Sequence, residues 1–171
     1  KEVLQEKIVD KVQAFNDAQT NKGSKIQKII IVPSLNDMHH HSVYPQFPFP
    51  KSSIPKSAKD LVYFASNPFT CEINGFTIGM ESVDVLMALR KSIVHNKETK
   101  GMAWLASELI RQRSFFPLFP MPKGVNFDST FGKCLEFEKD KTPNILILPS
   151  LLKEFAKEID GVICVNPSMV V

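Results

Sequence analysis

Three stretches rich in consecutive apolar residues divide the chain: Ile26–Val32, Asn144–Leu148 and Val162–Val165. Apolar runs of this length, bounded by turn residues, are typical of strands that are buried on both faces. Helical patterns precede the first run and separate the others. The sequence therefore predicts an α/β fold with a mainly parallel central sheet and flanking helices.

Apolar residues spaced three and four positions apart predict four helices. The apolar pattern of the first helix covers Val3–Phe15. A polar tail follows, and Gly23-Ser24 ends the helix. The second has Ser82 as its N-cap and Asp84 in its first turn. The predicted inward positions of the first helix are Leu4, Ile8, Val12 and Phe15. In the second helix, the residues at helical spacing are Val83, Leu86, Leu89, Arg90 and Ile93.

The third and fourth helices are predicted later in the chain. The third covers Met102–Arg111, and Pro149-Ser150 caps a fourth that continues to about Ile159 and ends at Gly161. Both helices would pack against the central sheet. Their predicted inward positions are Met102, Trp104, Leu105 and Leu109 in the third and Leu151, Leu152, Phe155 and Ile159 in the fourth.

An antiparallel hairpin is predicted at Asn74-Gly75, which lies between the alternating runs Phe69–Ile73 and Phe76–Met80. Three other stretches are predicted to be irregular. Val43–Lys59 and Gln112–Pro122 are rich in proline, and Lys123–Pro143 is polar and expected to be mobile. Loops of this length in compact domains are usually functional or contact a partner.

Composition narrows the class of protein. The 171 residues carry a net charge of +3, which is too small to imply nucleic-acid binding by charge alone. No apolar run reaches the length of a membrane span. The three cysteines, Cys71, Cys134 and Cys164, lie far apart, which argues against a disulfide framework or zinc ribbon and favours a reducing intracellular compartment.

The loop after the first strand holds candidate metal ligands, namely Asp37, His39, His40 and His41. Ligands in open α/β sheets bind beyond the carboxyl ends of strands, so an active site is sought here first. A two-metal centre needs ligands from several strand ends. The other ends carry none, since they read Pro149-Ser150-Leu151-Leu152 and Val165-Asn166-Pro167-Ser168. We therefore interpret the loop as structural, and His95 as a surface residue.

A second candidate is the segment from Arg111 to Phe116, which contains Arg111, Arg113, Phe115 and Phe116. Two arginines beside aromatic rings could bind phosphate or stack on bases. The alternative is that the phenylalanines fill the core and the arginines lie at a helix C-terminus, and we favour it. Phosphate-binding glycine loops and the GxSxG hydrolase motif do not occur in the sequence.

Four segments together resemble the B subunits of DNA polymerase alpha. They are IIIVPSLNDMHHHSVYPQFPFP (29–50), NPFTCEINGFTIGMESVDVL (67–86), IRQRSFFPLFP (110–120) and TPNILILPSLLKEFAKEIDGVICVNP (142–167). The resemblance runs over residues 25–167 in matching order. It implies a calcineurin-like, metallophosphoesterase-like domain that has lost catalysis, of which residues 1–171 would be the C-terminal part. An N-terminal helical region and an OB domain would lie outside this chain.

The resemblance also locates degenerate metal positions. Active relatives carry a G-N-H-[DE] motif where this chain has Ser34, Leu35, Asn36 and Asp37, so Leu35 replaces a ligand asparagine and Asn36 replaces a histidine. A later G-H-x-H motif is replaced by Pro149, Ser150, Leu151 and Leu152. The family comparison thus implies no catalytic residue, no metal and no cofactor. Family members usually continue the last motif as VNPGR, whereas this chain has Pro167-Ser168-Met169.

By resemblance, the chain would belong to a non-catalytic nuclear scaffold. Its partners would be the C-terminal zinc domain of the polymerase catalytic subunit, primase through the complex, and DNA indirectly, with no membrane. It would support RNA–DNA primer synthesis at origins, on lagging strands and at telomeres. The hypothesis for contact residues, or for plugs between domains, is the set Tyr44, Phe47, Phe49, Phe115, Phe116 and Phe119.

Two alternatives remain open from the sequence. The first is an active or residual metal-dependent phosphodiesterase that uses Asp37 and the histidine triplet. The second keeps the scaffold but assigns it to the accessory chain of another replicative polymerase, delta or epsilon. The YPQ and QRSFFPLFP segments favour polymerase alpha.

Overall fold

The computed structural model describes residues 2–18, 25–38, 40–54, 58–93, 103–138 and 141–169. In these ranges the α-helices are α1 (Glu2–Ala18), α2 (Val85–Ser92) and α3 (Ala103–Gln112), with 3-10 helices at Lys51–Ser53 and Ser129–Leu135. The strands are β1 (Ile29–Ile31), β2 (Val62–Phe64), β3 (Phe69–Ile73), β4 (Phe76–Met80), β5 (Ile145–Ile147), β6 (Phe155–Ile159) and β7 (Val162–Asn166). No helix in these ranges is both long and apolar enough to cross a membrane.

The strands form two sheets. β1 and β2 pair in parallel as a small sheet, and the other five strands form a sheet in the order β3-β4-β5-β7-β6. In the larger sheet, β4, β5 and β7 run parallel, and an antiparallel hairpin closes each edge. The predicted α/β class, with parallel strands and an antiparallel hairpin, is confirmed. The first apolar run, however, forms β1, which pairs with β2 in the small sheet. It does not join β5 and β7 in the larger sheet.

The predicted hairpin at Asn74-Gly75 is confirmed with the predicted strand bounds. Both turn residues have positive φ, 52° at Asn74 and 80° at Gly75, which asparagine and glycine adopt at low cost. Gly79 in β4 serves a different purpose. A Cβ there would lie 2.9 Å from the Leu146 side chain and 3.0 Å from the Phe115 ring, so only glycine allows this close approach.

The predicted fourth helix, from Ser150 to Ile159, is wrong. Phe155–Ile159 is strand β6, which pairs antiparallel with β7. Gly161 belongs to the connecting turn, where Asp160 has φ 50° and Gly161 has φ 79°. The Asp-Gly pair is the physical reason, because two consecutive positive φ values form a hairpin turn.

Two predictions about helix ends and faces need correction. The N-cap of α2 is Asp84, whose carboxylate accepts a hydrogen bond from the Met87 backbone N–H at 2.9 Å. Ser82 is not the cap, because its hydroxyl donates to the Pro33 carbonyl at 2.6 Å. This bond links the segment after β4 to the end of β1. In α3, Trp104 is 37% exposed, since Leu105 and its neighbours on the next stripe face the sheet.

The apolar face of α1 also differs from the prediction. Val9 is buried beside β2, whereas Phe15 is 44% exposed. Val12 is half-buried, and the Asn16 amide hydrogen-bonds the Ile26 backbone. The side chains of Leu4 and Ile8, and the predicted helix end at Gly23-Ser24, lie outside the described residues, as do His95 and Met102.

The main hydrophobic core lies between the larger sheet and helices α2 and α3. The segment from Lys123 to Pro143, which we expect to be mobile, contributes to this core through Leu135 and Phe137. Leu135 ends the 3-10 helix, and the Phe137 ring packs edge-on against Phe115 at 4.9 Å. A separate, smaller core lies beneath β1 and β2.

Candidate functional site

The candidate site lies where strands of the two sheets end. Polar side chains follow β1, β2, β4 and β5, and one terminates β7. In α/β proteins this edge usually binds the ligand. The geometry of each strand end therefore decides what chemistry the site can perform.

The turn after β1 is held together by its own side chains. One oxygen of the Asp37 carboxylate accepts a hydrogen bond from the Ser34 backbone N–H at 2.8 Å, and the Asp37 N–H donates to the Ser34 carbonyl at 3.1 Å. The Ser34 hydroxyl accepts from the Asn36 N–H at 3.2 Å. Leu35 packs against the main core. This arrangement makes Asp37 a turn-forming residue.

The two described histidines of the loop do not converge on one point. Their ring centroids lie 6.4 Å apart, with an angle of 73° between the planes. His40 packs edge-on against Phe49 at 4.9 Å, and its Nδ1 lies 3.2 Å from the His41 carbonyl. His39 lies outside the described residues. Among the residues that are described, no three histidine, cysteine or acidic side chains are grouped as metal ligands.

A chain of side-chain hydrogen bonds joins the ends of β1, β2 and β4. The Gln46 amide donates to the Ser34 carbonyl at 3.0 Å and accepts from the Asn67 amide at 2.9 Å. Asn67 in turn accepts from the Ser82 backbone N–H at 3.0 Å. Gln46 and Asn67 are both buried, so these bonds satisfy groups that water cannot reach.

Glu81 follows β4 and is also buried. The Tyr44 hydroxyl donates a hydrogen bond to one of its carboxylate oxygens. The other oxygen, Oε2, has no hydrogen-bond partner among the described residues. Burial raises the pKa of the Glu81 carboxyl well above its ordinary value, and the Tyr44 bond only partly opposes this. Burial and the neighbouring Glu81 also raise the pKa of Tyr44.

The ends of β5 and β7 are joined by Asn166. Its side-chain oxygen accepts from the N–H groups of Ser150 and Ser168, each at 2.9 Å, and its amide nitrogen donates to the Leu152 carbonyl at 3.0 Å and the Lys153 carbonyl at 3.2 Å. This residue is 1% exposed. A neutral amide with four partners is suited to fixing a loop.

Asp84 connects the same region to α2. One of its carboxylate oxygens caps the helix, and the other accepts from the Leu151 backbone N–H at 2.9 Å. At the degenerate positions after β5, Pro149 is half-buried, Ser150 and Leu152 are buried, and Leu151 is 58% exposed. The Ser150 hydroxyl accepts from the Leu152 N–H at 3.2 Å.

The six aromatic residues proposed as contacts divide into two groups. Tyr44, Phe115 and Phe116 are buried in the main core, so the expectation that these three side chains are exposed is wrong. Phe47 is 62% exposed and Phe119 is 89% exposed. Phe49 is half-buried and packs against His40 and Phe64.

The two arginines of the second candidate act within the chain. Arg111 pairs with Glu108 through N–O distances of 2.6 and 2.7 Å. The Arg113 guanidinium donates to the Glu138 carbonyl at 2.8 Å. These contacts, together with the burial of Phe115 and Phe116, agree with the interpretation of this segment as structural.

Sequence reasoning missed the buried polar residues Gln46, Asn67, Glu81 and Asn166. Their position was the available signal, because Glu81 directly follows β4, Asn67 lies between β2 and β3, and Asn166 ends β7. Nothing in the local pattern identifies their partners, which lie up to 37 positions away.

Known proteins show what the chain is similar to. A sequence model of the family that comprises the B subunits of DNA polymerases alpha and epsilon matches residues 6–157. The chain is 35% identical over 142 residues to the B subunit of DNA polymerase alpha from Rattus norvegicus, an alignment that covers 81% of this chain and 23% of the rat protein. The corresponding protein of Schizosaccharomyces pombe is 30% identical over 146 residues, covering 81% of this chain and 25% of that protein.

Identity remains detectable in a more distant relative. The B subunit of DNA polymerase alpha from Saccharomyces cerevisiae is 24% identical over 172 aligned positions, covering 81% of this chain and 24% of the yeast protein. The chain thus spans about a quarter of the length of the curated relatives it matches. Since the family model matches most of the residues, the chain belongs to the family of DNA polymerase alpha and epsilon B subunits.

Proposed function

We propose that this chain is part of a non-catalytic accessory subunit of the DNA polymerase alpha–primase complex. The support for polymerase alpha is that the relatives described above are named as B subunits of that polymerase. The proposed role is that of a scaffold in an inactive phosphoesterase-like domain. In that role it would support RNA–DNA primer synthesis in the nucleus.

One observation carries the non-catalytic part of the proposal. At the strand ends, the polar side chains bind backbone groups of their own loop or of a neighbouring loop. One Asp37 oxygen, both Asp84 oxygens and the whole Asn166 amide are used in this way. A metallophosphoesterase would instead aim several such groups at two ions about 3.5–4 Å apart.

The proposed partner is the C-terminal zinc domain of the polymerase catalytic subunit, with primase bound through the same complex and DNA contacted indirectly. Phe47 and Phe119 are suitable contact residues, because both are exposed on proline-containing loops. Large exposed aromatic side chains contribute strongly to protein interfaces when a partner buries them.

The absence of catalysis is tested on the purified full-length protein. We expect no stoichiometric Mn, Fe or Zn by metal analysis and no phosphodiester hydrolysis above background. Asp37→Ala should lower the free energy of unfolding by about 1 kcal/mol, since it removes the side-chain bond of the turn. Stoichiometric metal together with hydrolysis that Asp37→Ala abolishes would establish the phosphodiesterase alternative.

The partner is tested by capture of the catalytic subunit's C-terminal domain. The double variant Phe47→Ser/Phe119→Ser should weaken capture about tenfold. Phe76→Ser is the matched control, because Phe76 is 58% exposed but lies on the β3–β4 hairpin. Equal capture by both variants would contradict the assignment of these loops. Co-purification with polymerase epsilon in place of primase would contradict the assignment to polymerase alpha.

A further inference from the structure

A cleft of about 630 Å³ opens at the strand ends. Its walls are the Ser34–Asn36 turn after β1, the Ser82–Asp84 segment after β4, and Leu151 after β5. Protein sites that enclose small groups have volumes of about 300–1,000 Å³. The cleft is therefore large enough to receive one or two side chains of a partner.

The lining of the cleft is mainly apolar. Leu35, Met87, Phe116 and Val125 contribute to it, and Leu151 stands exposed at its edge. The first four of these side chains also contact the main core, which fixes their positions. A preformed apolar lining favours an apolar ligand group, because binding removes the surfaces of both from water.

Some polar groups of the cleft already have hydrogen-bond partners within the chain, and others have none among the described residues. Both carboxylate oxygens of Asp84 accept backbone hydrogen bonds, and the Ser82 hydroxyl donates to the Pro33 carbonyl. The side chains of Lys91 and Lys123 are exposed at the cleft, and their ammonium groups form no ion pair or hydrogen bond with any described residue. The charged groups that remain available to a ligand in the cleft are therefore these two lysines, which are positive.

We infer that this cleft binds a protein segment in which apolar side chains lie next to carboxylates. The apolar side chains enter between Leu35 and Phe116, and the carboxylates pair with Lys91 and Lys123. Nucleic acid fits this lining less well, because the described lining residues include no arginine and form a largely aliphatic surface in place of a stacking platform. The inference rests on this geometry and does not depend on the proposed binding of the catalytic subunit.

Fluorescence polarisation with the full chain tests the inference. The probe is a fluorescein-labelled peptide, Glu-Glu-Leu-Phe-Glu-Glu, and the reference peptide has lysine in place of each glutamate. We expect the acidic peptide to bind at least about tenfold more tightly than the basic one. Lys91→Glu/Lys123→Glu and Leu151→Asp should each weaken binding of the acidic peptide by about tenfold.

Two matched variants control for general effects of charge and apolarity. Lys157→Glu reverses an exposed charge on β6, and Ile163→Asp replaces a side chain that is 48% exposed on β7; neither residue lines the cleft. Both controls should bind the acidic peptide within about twofold of the unmodified chain. Urea denaturation should show that the cleft variants remain folded, since the replaced side chains are exposed.

Three results would overturn the inference. The first is the absence of binding by the acidic peptide, and the second is equal weakening by the cleft variants and the controls. The third is tighter binding of a thymidine oligonucleotide that competes with the peptide and depends on Lys91 and Lys123, which would assign the cleft to nucleic acid.

Discussion

At the residue scale, burial changes the chemistry of Glu81. Its carboxyl is surrounded by protein, and Tyr44 supplies its one hydrogen bond among the described residues. Removing a carboxylate from water disfavours the charged form, so the pKa rises well above the ordinary value of 4.5. The folded chain therefore holds a proton on Glu81 at pH values where the unfolded chain has released it.

This proton makes stability depend on pH in a predictable direction. When folding raises the pKa of a group, that group stabilises the folded chain fully at a pH below its pKa in the unfolded chain. This contribution is lost as the pH rises through the pKa of the group in the folded chain. The free energy of unfolding should thus fall by up to about 1.4 kcal/mol per pH unit above about pH 4.5 because of Glu81. Glu81→Gln should remove this slope.

Urea denaturation between about pH 5 and about pH 8 measures the slope. Glu158→Gln is the control, because Glu158 is exposed on β6. It should leave the pH dependence as it is in the unmodified chain. An unchanged slope in Glu81→Gln would show that the carboxyl titrates alike in the folded and unfolded chains.

Residue roles at the candidate site could be predicted from sequence only in part. The lack of ligand side chains at Leu35 and after β5 is visible in the sequence. The bonds of Asn166 to the backbone of Ser150, Leu152 and Lys153 are not visible, because those groups approach it only when the chain has folded. Local pattern carries no information on which distant backbone groups a buried amide will satisfy.

At the element scale, β6 shows where periodicity fails. Phe155 and Ile159 are spaced by four, and positions four apart share a face in a helix and in a strand alike. Both side chains do pack against the main core, so these two inward positions are predicted correctly although the predicted helix is wrong. Leu151, another predicted inward position, is 58% exposed. Asp160-Gly161 was the deciding signal, of the same kind as Asn74-Gly75.

A pair of substitutions distinguishes the strand and turn from a helix. Asp160→Val should lower the free energy of unfolding by about 1–2 kcal/mol, because a β-branched residue would be forced to φ 50°. Glu158→Val should cost little or stabilise slightly, since valine suits an exposed strand position. Urea denaturation of both variants measures the difference. Equal costs would indicate that Asp160 is not in a positive-φ turn.

At the scale of the whole molecule, the two faces of the larger sheet differ in their cover. Leu146 and Cys164 face the core and are buried. Val162, Phe155 and Ile159 lie on the same core face. Register places a second set of apolar side chains together on the opposite face, and each of them is half-buried or exposed. That face carries Phe69, Ile73, Phe76, Ile78, Met80, Ile145, Ile147, Ile163 and Val165.

This asymmetry explains why the sequence predicts a two-sided sheet. A run such as Ile145–Ile147 has apolar residues at every position, and such runs are typical of strands covered on both faces. Among the described elements, α2 and α3 pack against one face of this sheet. The pattern correctly predicts that both faces are apolar, but it cannot show what covers the second face.

The open apolar face should govern how the isolated chain behaves in solution. Contiguous exposed apolar surface promotes dye binding and self-association. Phe76→Ser/Ile163→Thr removes two of its most exposed side chains, 58% and 48% exposed, and should lower the fluorescence of bound anilinonaphthalene sulfonate to about half. Light scattering should also show less self-association of the double variant.

Phe119→Ser is the control, because Phe119 is 89% exposed but stands on a separate loop, and single exposed apolar residues are ordinary. If the control lowers dye binding as much as the double variant does, the sheet face is not the surface responsible.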